Sequence, residues 1–349
     1  MYERRKSKKI NIGNVEVGGN APISVQSMCN TDTRDVKATV RQIQELTDAG
    51  CEIIRVAVLD KEAAQAIGQI KKEIKIPIIA DIHFDYRLAI ESIQQGVDAL
   101  RLNPGNIGRK EFVEKVTTLA KERQIPIRIG INTGSLEKEV QNMDLTLPEK
   151  MVLSAKKHIE ILENLDFDLI KVSLKSSKVT TMIEAYQILA KEVEYPLHIG
   201  VTEAGTMKGG LIKSSVGIGT LLHNGIGDTI RVSLTENPVE EVYAGFEILK
   251  SLDLRKKGIN FVSCPTCGRC KYDLIGLAKK VEDKFKNVDK AITLAIMGCP
   301  VNGPGEAKTA DNGVAGGEGF CYVFKKGEIL TKVPEEQVLE TLEKLIAEL

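Results

Sequence analysis

Seven cysteines occur in the chain, and four of them fall in two turn-rich segments, Cys264-Pro265-Thr266-Cys267-Gly268-Arg269-Cys270 and Gly298-Cys299-Pro300-Val301-Asn302-Gly303-Pro304-Gly305-Glu306. Cys29, Cys51 and Cys321 stand singly in apolar, strand-like surroundings. A Cys-x-x-Cys turn points both sulfurs the same way, so that a second loop can complete a metal shell, as in zinc sites and iron-sulfur clusters. The flanking prolines and glycines keep the backbone irregular and leave amide N–H groups free to donate to sulfur. A structural zinc knot and a disulfide pair are the alternatives. Disulfides are disfavoured at a cytosolic redox poise. A closed zinc site has no need of the further donors, since three cysteines at Cys-x-x-Cys-x-x-Cys are joined by Cys299 and by Glu306. Spacing taken alone nominates Cys270 as the fourth thiolate.

Most of the chain lies before these loops and follows a regular β/α rhythm. From Ile23 to about Lys250 short β-branched runs alternate with amphipathic helical patterns. The runs Ile23 to Val25, Ile53 to Val58, Pro77 to Ala80, Ala99 to Leu102, Ile125 to Ile131, Leu169 to Val172, Leu197 to Val201 and Thr229 to Val232 read as buried parallel strands. The first helix, from about Arg34 to Ala49, carries Val36, Val40, Ile43 and Leu46 on one stripe behind a Thr31-Asp32-Thr33 cap region. Eight such units in about 230 residues fit an α/β fold of the (β/α)8 TIM-barrel type. An open doubly wound sheet would carry a Gly-rich turn after its first strand, where this chain has Gln26-Ser27-Met28.

Barrel function resides at the C-terminal ends of the strands. In order these ends offer Gln26 and Ser27, Arg55, Asp81 with His83, Arg101 with Asn103, Arg128 with Asn132, Lys171 with Ser173, Glu203, and Arg231 with Ser233. Taken singly, a strand-end arginine is most often a surface ion-pair partner. A ring made of Arg55, Arg101, Arg128, Lys171 and Arg231 is instead an anion trap, and the guanidinium fork suits phosphate oxygens. The turns at Asn103 to Gly108 and Asn132 to Ser135 add backbone N–H groups. His83 and Glu203 are the titratable groups expected at the mouth, Glu203 as a proton donor or a helix cap. His158, His198 and His223 read as packing or surface histidines.

Lysine plus arginine and aspartate plus glutamate number 48 each, a net charge of zero, which favours a small ligand over nucleic acid or a membrane surface. The basic run Arg4 to Lys9 precedes an alternating, turn-rich stretch instead of an apolar run, so neither a secretory signal nor a bilayer span is expected and a cytoplasmic location is inferred. The run itself reads as a solvated hairpin edge. The β/α rhythm stops after Leu254, with Lys256-Lys257-Gly258 as a linker, giving a barrel domain over 1–254 and a smaller α+β domain over 259–349. The second domain reads as strand Asn260 to Ser263, the first cysteine loop, a helix from about Asp273 to Phe285, strand Ile292 to Ile296 and the second cysteine loop. A hairpin of Phe320 to Phe324 and Ile329 to Val333 follows, then a helix opening at Pro334 that buries Val338, Leu342, Leu345 and Leu349.

The two cysteine motifs closely resemble those of the 4-hydroxy-3-methylbut-2-enyl diphosphate synthase family of the methylerythritol phosphate route to isoprenoids. The barrel motifs Val25-Gln26-Ser27-Met28, Arg101-Leu102-Asn103-Pro104-Gly105-Asn106, Arg128-Ile129-Gly130-Ile131-Asn132 and Gly200-Val201-Thr202-Glu203-Ala204-Gly205 agree with it, in its bacterial two-domain form. The resemblance implies reductive ring opening and dehydration of 2-C-methyl-D-erythritol 2,4-cyclodiphosphate. It implies a [4Fe-4S] cluster held by Cys264, Cys267, Cys299 and Glu306, and electrons from reduced flavodoxin or ferredoxin. It also implies a homodimer in which one copy's cluster domain caps the other's barrel. On this reading Cys270 is a bystander, and the carboxylate of Glu306 is the more exchangeable ligand. Glu203, Asp81, His83 and Glu306 are the expected catalytic groups. Arg55, Arg101, Asn103, Arg128, Asn132, Lys171, Ser173, Arg231 and Ser233 are expected to hold the substrate. A phosphosugar barrel enzyme with a zinc-stapled domain and a non-enzymatic cluster sensor are the rival functions.

Overall fold

The structure is a computed structural model that describes residues 3–286, 288–299, 305 and 308–348. The chain divides into two units, Met1–Arg255 and Lys256–Leu349. Arg255 is tied into the first, its guanidinium 2.9 Å from Glu52 and donating to the Ile23 carbonyl at 2.8 Å.

The first unit opens with a hairpin, β1 (Ile10–Ile12) and β2 (Val15–Val17). Eight parallel strands follow: β3 (Ser24–Met28), β4 (Ile53–Ala57), β5 (Ile78–Asp81), β6 (Ala99–Arg101), β7 (Ile127–Asn132), β8 (Ile170–Lys175), β9 (His198–Ile199) and β10 (Thr229–Ile230). They are ordered β8-β7-β6-β5-β4-β3-β10-β9, and a parallel bridge between Val172 and Leu197 joins the two ends into a barrel. Asp35, Asp60 and Asp85 cap the helices after β3, β4 and β5, each carboxylate accepting from a first-turn amide. The cap of the first helix is thus Asp35 and not the Thr31–Thr33 segment. Asp32 is engaged by Arg34, and the Thr33 hydroxyl donates to the Ala57 carbonyl.

Alternation along each strand sorts the side chains. Ile54, Val56, Ile78, Ala80, Leu100, Ile127, Ile129, Val172 and Leu174 join the helices in the main core. On the inner face, Ile53, Ile79 and Ala99 form a floor at the N-terminal strand ends, packed on Ile10, Ile12 and Val17 of the hairpin. Above that floor the interior is polar. The basic N-terminal run is a solvated edge only in part: Lys6, Lys8 and Lys9 are exposed, but Arg4 and Arg5 are half-buried. Arg4 pairs with Asp228 at 2.9 Å, and Arg5 donates to the Val193 and Tyr195 carbonyls at 2.8 and 2.7 Å, closing off peptide groups at the same rim.

Strand ends differ from the sequence reading in two places that matter. β3 is Ser24–Met28 instead of Ile23 to Val25, and β8 continues to Lys175 instead of stopping at Val172. In β8 the continuation alternates polar inner residues, Ser173 and Lys175, with apolar Leu174 outside, and in β3 it is Gln26-Ser27-Met28, so neither extends the continuous apolar run that marks a buried strand.

The second unit is a five-stranded sheet in chain order: β11 (Asn260–Ser263), β12 (Thr293–Met297), β13 (Asn312–Gly316), β14 (Cys321–Lys325) and β15 (Glu328–Val333). The first three are parallel and the last three antiparallel. Helices Leu274–Phe285 and Val338–Ala347 bury Leu277, Val281, Leu342 and Ile346 against Leu294, Ile296, Val314 and Val323. A 3-10 turn at Glu335–Gln337 precedes the last helix, and Leu349 lies outside the described residues. β13 was not expected from its glycine-rich sequence, yet it is fully buried. A Cβ on Gly316 would lie 1.9 Å from the Tyr272 ring, and one on Gly313 would lie 2.3 Å from that of Phe324. Strand propensity is sacrificed there to admit two aromatic rings.

Candidate active site

At the C-terminal ends of the barrel strands a cavity of about 200 Å³ is lined by Arg55, Asp81, His83, Arg101, Arg128, Gly130, Asn132, Ser173, Lys175, Thr202, Arg231 and Ser233. Asp81 is the one carboxylate among these described lining residues, against four arginines and a lysine. Its oxygens stand 3.6 Å from Arg55 Nε and 3.4 Å from Arg101 Nη1. Burial works to raise the Asp81 carboxyl, but Arg55, Arg101 and Arg128 outweigh it and hold the group below its ordinary value. Burial pulls Arg55 down to about 10 in spite of Asp81.

Other contacts brace this ring. Met28 Sδ lies 2.8 Å from Arg55 Nη2 and 3.8 Å from Arg231 Nη1, and Glu241 lies 3.3 Å from Arg231 Nη2. Arg101 Nη2 donates to the Gly130 carbonyl at 3.0 Å, and a Cβ on Gly130 would come within 2.7 Å of Arg101 Nε. Glycine is therefore required where Arg101 lies along β7. Arg128 is the most buried arginine of the ring, 2 % exposed, with both Nε and Nη1 unpartnered, where Arg231 leaves only its Nε so. Burial, then the charges of Arg55 and Arg101, push it well below the usual guanidinium value. Since arginine keeps its proton in proteins, these donors are poised for an anion or water.

Several expected residues take other places. Asn103 is buried behind the cavity, its amide bonded to both the N–H and the carbonyl of Gly130 at 2.8 and 3.0 Å, so it fixes the strand that presents Arg128. Lys171 does not line the cavity; Lys175, further along the same inner face, does. Lys175 is absent from the sequence expectation because the apolar run that marks β8 stops at Val172, whereas Thr202, after β9, carries no sequence signal of its own. The alternation Lys171, Ser173, Lys175 was the available signal. Glu203 is exposed, outside the lining, with φ of 51°, a left-handed backbone that costs a non-glycine residue about 1 kcal/mol. His83 is exposed at the rim. His158 is a packing group, accepting from the Gly105 amide at Nδ1 and meeting Glu137 at Nε2.

In the second unit, Cys264 follows β11 and Cys299 follows β12. These parallel neighbours are in register through Ser263 and Ile296, so both loops leave one edge of the sheet. The Gly298 amide donates to Cys264 Sγ at 3.0 Å. A Cβ on Gly298 would stand 3.3 Å from Cys264 Sγ and 3.4 Å from Cys270 Sγ. Cys264, Cys270 and Cys299 are half-buried and Cys267 is exposed, its thiol held below the ordinary value by the Arg269 amide. Among the described residues no three of His, Cys, Asp and Glu are gathered closely enough to hold a metal ion, and Glu306 lies outside them. The donor chemistry nevertheless fits an iron-sulfur group: sulfurs at neighbouring strand ends, with an amide already directed at one of them. No helix among the described residues is long and apolar enough to cross a membrane.

Residues 7–246 match the family model of the GcpE TIM-barrel domain, and residues 260–348 that of the GcpE protein C-terminal domain. A Geobacter sulfurreducens protein named 4-hydroxy-3-methylbut-2-en-1-yl diphosphate synthase (flavodoxin) is 58% identical over 350 residues, covering 99% of each chain. A protein of the same name from Ruminiclostridium cellulolyticum is 57% identical over 348 residues, again covering 99% of each. Among solved structures, the dihydropteroate synthase of Stenotrophomonas maltophilia matches 71% of this chain and 97% of its own with a TM-score of 0.54 at 12% identity, a likeness of fold alone. That of Coxiella burnetii matches 71% and 98% with a TM-score of 0.51 at 14% identity. With its two units matched in turn by the two domain models, and full-length relatives more than half identical, the chain belongs to the GcpE family.

Proposed function

We propose that the chain catalyses the reductive ring opening and dehydration of 2-C-methyl-D-erythritol 2,4-cyclodiphosphate to (E)-4-hydroxy-3-methylbut-2-enyl diphosphate, with two electrons from reduced flavodoxin or ferredoxin. The observation that carries this reading is the cavity in which Arg55, Arg101, Arg128, Lys175 and Arg231 face a single carboxylate. A diphosphate supplies the negative charge that such a cup lacks.

Cys264, Cys267, Cys299 and Glu306 would hold a [4Fe-4S] cluster, which supplies the electrons one at a time. The protein's own groups do the rest. The unpartnered donors of Arg128 and the guanidiniums of Arg55, Arg101 and Arg231 grip the phosphoryl oxygens, with Asn132, Ser173 and Ser233 as neutral partners. Asp81 fixes the spacing of Arg55 and Arg101 at the cavity wall. Asn103 does the same for β7. Glu203 delivers a proton to the departing hydroxyl, and His83 stands at the rim where β5 ends. In this reading the protein works in the cytoplasm as a homodimer, the cluster-bearing unit of one copy covering the barrel mouth of the other and excluding water.

Anaerobically prepared protein assayed for iron, sulfide and turnover with reduced flavodoxin tests the assignment. Iron and sulfide near four each per chain are expected, with turnover of the cyclic diphosphate. A colourless protein holding one zinc and no sulfide overturns it. Mixing Glu306→Ala with Glu203→Ala protomers tests the dimer: recovery of activity is expected, and its absence rules out catalysis in trans.

A further inference from the structure

Lys171 sits on the inner face of β8, on the same side of the strand as Ser173 and Lys175, which line the cavity above it. It is 1 % exposed, and its Nζ has no hydrogen-bond partner. Its neighbour in register on β7 is Arg128, and parallel neighbours point the same way, so two basic side chains stand together in the barrel interior.

The charged and titratable groups facing Lys171 are few. Arg128 and Arg55 face it from β7 and β4, and Lys175 lies along its own strand. His198 faces it from β9 with Nε2 unpartnered and Nδ1 bonded to Thr229 Oγ1 at 2.8 Å. Asp228, just before β10, is the facing carboxylate. It is already engaged by Arg4 at 2.9 Å, Ser7 at 3.0 Å and the Leu197 amide at 2.8 Å, with Arg5 at 4.0 Å. No free anion is therefore left for Lys171 among the described residues.

We propose that Lys171 is a proton acceptor beneath the cup, an uncharged amine while the cup is empty and an ammonium once a diphosphate lies above it. The proposal rests on the diphosphate reading and extends it. Guanidiniums keep their protons, so where buried cations crowd together the lysine is the group that yields. Burial first, then Arg128, push Lys171 well below its ordinary value, and His198 is driven the same way. An anion arriving at Arg128 offsets the repulsion that adds to burial in holding the proton off, and Ser173, between Lys171 and the cavity, offers a hydroxyl on the route in.

The established chemistry of this substrate class gives the device a purpose. Ring opening breaks a carbon–oxygen bond and leaves that oxygen on phosphorus, so a cyclic diphosphate with two acidic oxygens becomes a linear one with three. The negative charge in the cup rises during turnover. Lys171 binds one proton from solvent, with no electrons exchanged, and lets the positive charge of the cup rise with it.

The test is calorimetric titration of the full-length protein with inorganic pyrophosphate near neutral pH, in buffers of different ionisation enthalpy. Wild type is expected to take up about one proton more per site than Lys171→Met. Protonation of pyrophosphate itself is common to both proteins and cancels. Lys171→Met replaces an unpartnered buried amine by an apolar group of similar length, so its melting temperature is expected to hold or rise. Lys171→Gln carries the same comparison should the methionine variant not fold. Equal uptake by wild type and variant overturns the proposal, as does uptake lost in Lys175→Met but kept in Lys171→Met. Failure of pyrophosphate to bind at all sinks the diphosphate reading instead, so the two failures are distinguishable.

Discussion

Asp81 and Arg101 are partners in register on neighbouring strands, and carboxylate and guanidinium meet at 3.4 Å where the strands end. The other oxygen of Asp81 faces Arg55 at 3.6 Å. One buried carboxylate thus spaces two arginines that would otherwise repel, and leaves their outer edges toward the cavity.

Replacing that carboxylate leaves two buried guanidiniums without a counter-charge. Asp81→Asn is expected to cost about 3 kcal/mol of folding stability, measured by denaturant unfolding. The sign with pH is defined. The folded-state pKa of Asp81 lies below the unfolded value, so its contribution is complete above about pH 4 and disappears as pH falls through the folded value. Melting curves from neutral to acid pH should show a shallower acid loss for Asp81→Asn than for wild type, and parallel curves would exclude this role.

Arg128 should show opposite effects on stability and binding. Its Nε and Nη1 are buried without partners, so Arg128→Met is expected to stabilise the ligand-free protein by about 1 kcal/mol. The same change should weaken pyrophosphate binding more than about tenfold. Thermal shift with and without pyrophosphate reads both, and a variant that is less stable yet binds equally well contradicts the assignment.

Gly316 is reserved for packing. A methyl group there meets the Tyr272 ring, whose hydroxyl donates to the Met297 carbonyl at 2.8 Å. Gly316→Ala is expected to cost about 2 kcal/mol. Chemical unfolding followed by near-ultraviolet circular dichroism checks this, and an unchanged midpoint would mean that Tyr272 moves aside freely.

Cys270 stands beside Cys264 across Gly298, which keeps the spacing-based choice of fourth ligand open to direct test. Cys270→Ser is expected to retain iron and sulfide after anaerobic reconstitution, while Cys264→Ser, Cys267→Ser and Cys299→Ser lose them. Loss in Cys270→Ser with retention in Glu306→Gln would reverse the choice.

The alternation of apolar runs and helical stripes determined the barrel, because burial on both strand faces and on one helix face leaves a periodic trace. Residue type and position also placed Arg55, Arg101, Arg128 and Arg231 at strand ends, and the cysteine spacing marked the second unit. What the sequence could not determine were features that depend on partners distant in the chain. Whether Lys171 or Lys175 reaches the cavity turned on where β8 ends, and polar inner residues hide that end. Asn103 reads as a substrate ligand until Gly130 takes both of its amide atoms. Arg4 and Arg5 of the basic run read as solvated until Asp228 and the carbonyls of Val193 and Tyr195 arrive from far along the chain. β13 has no strand signal at all, because its glycines answer to Tyr272 and Phe324. Periodicity records how much of a residue is buried, and only tertiary contact decides what it is buried against.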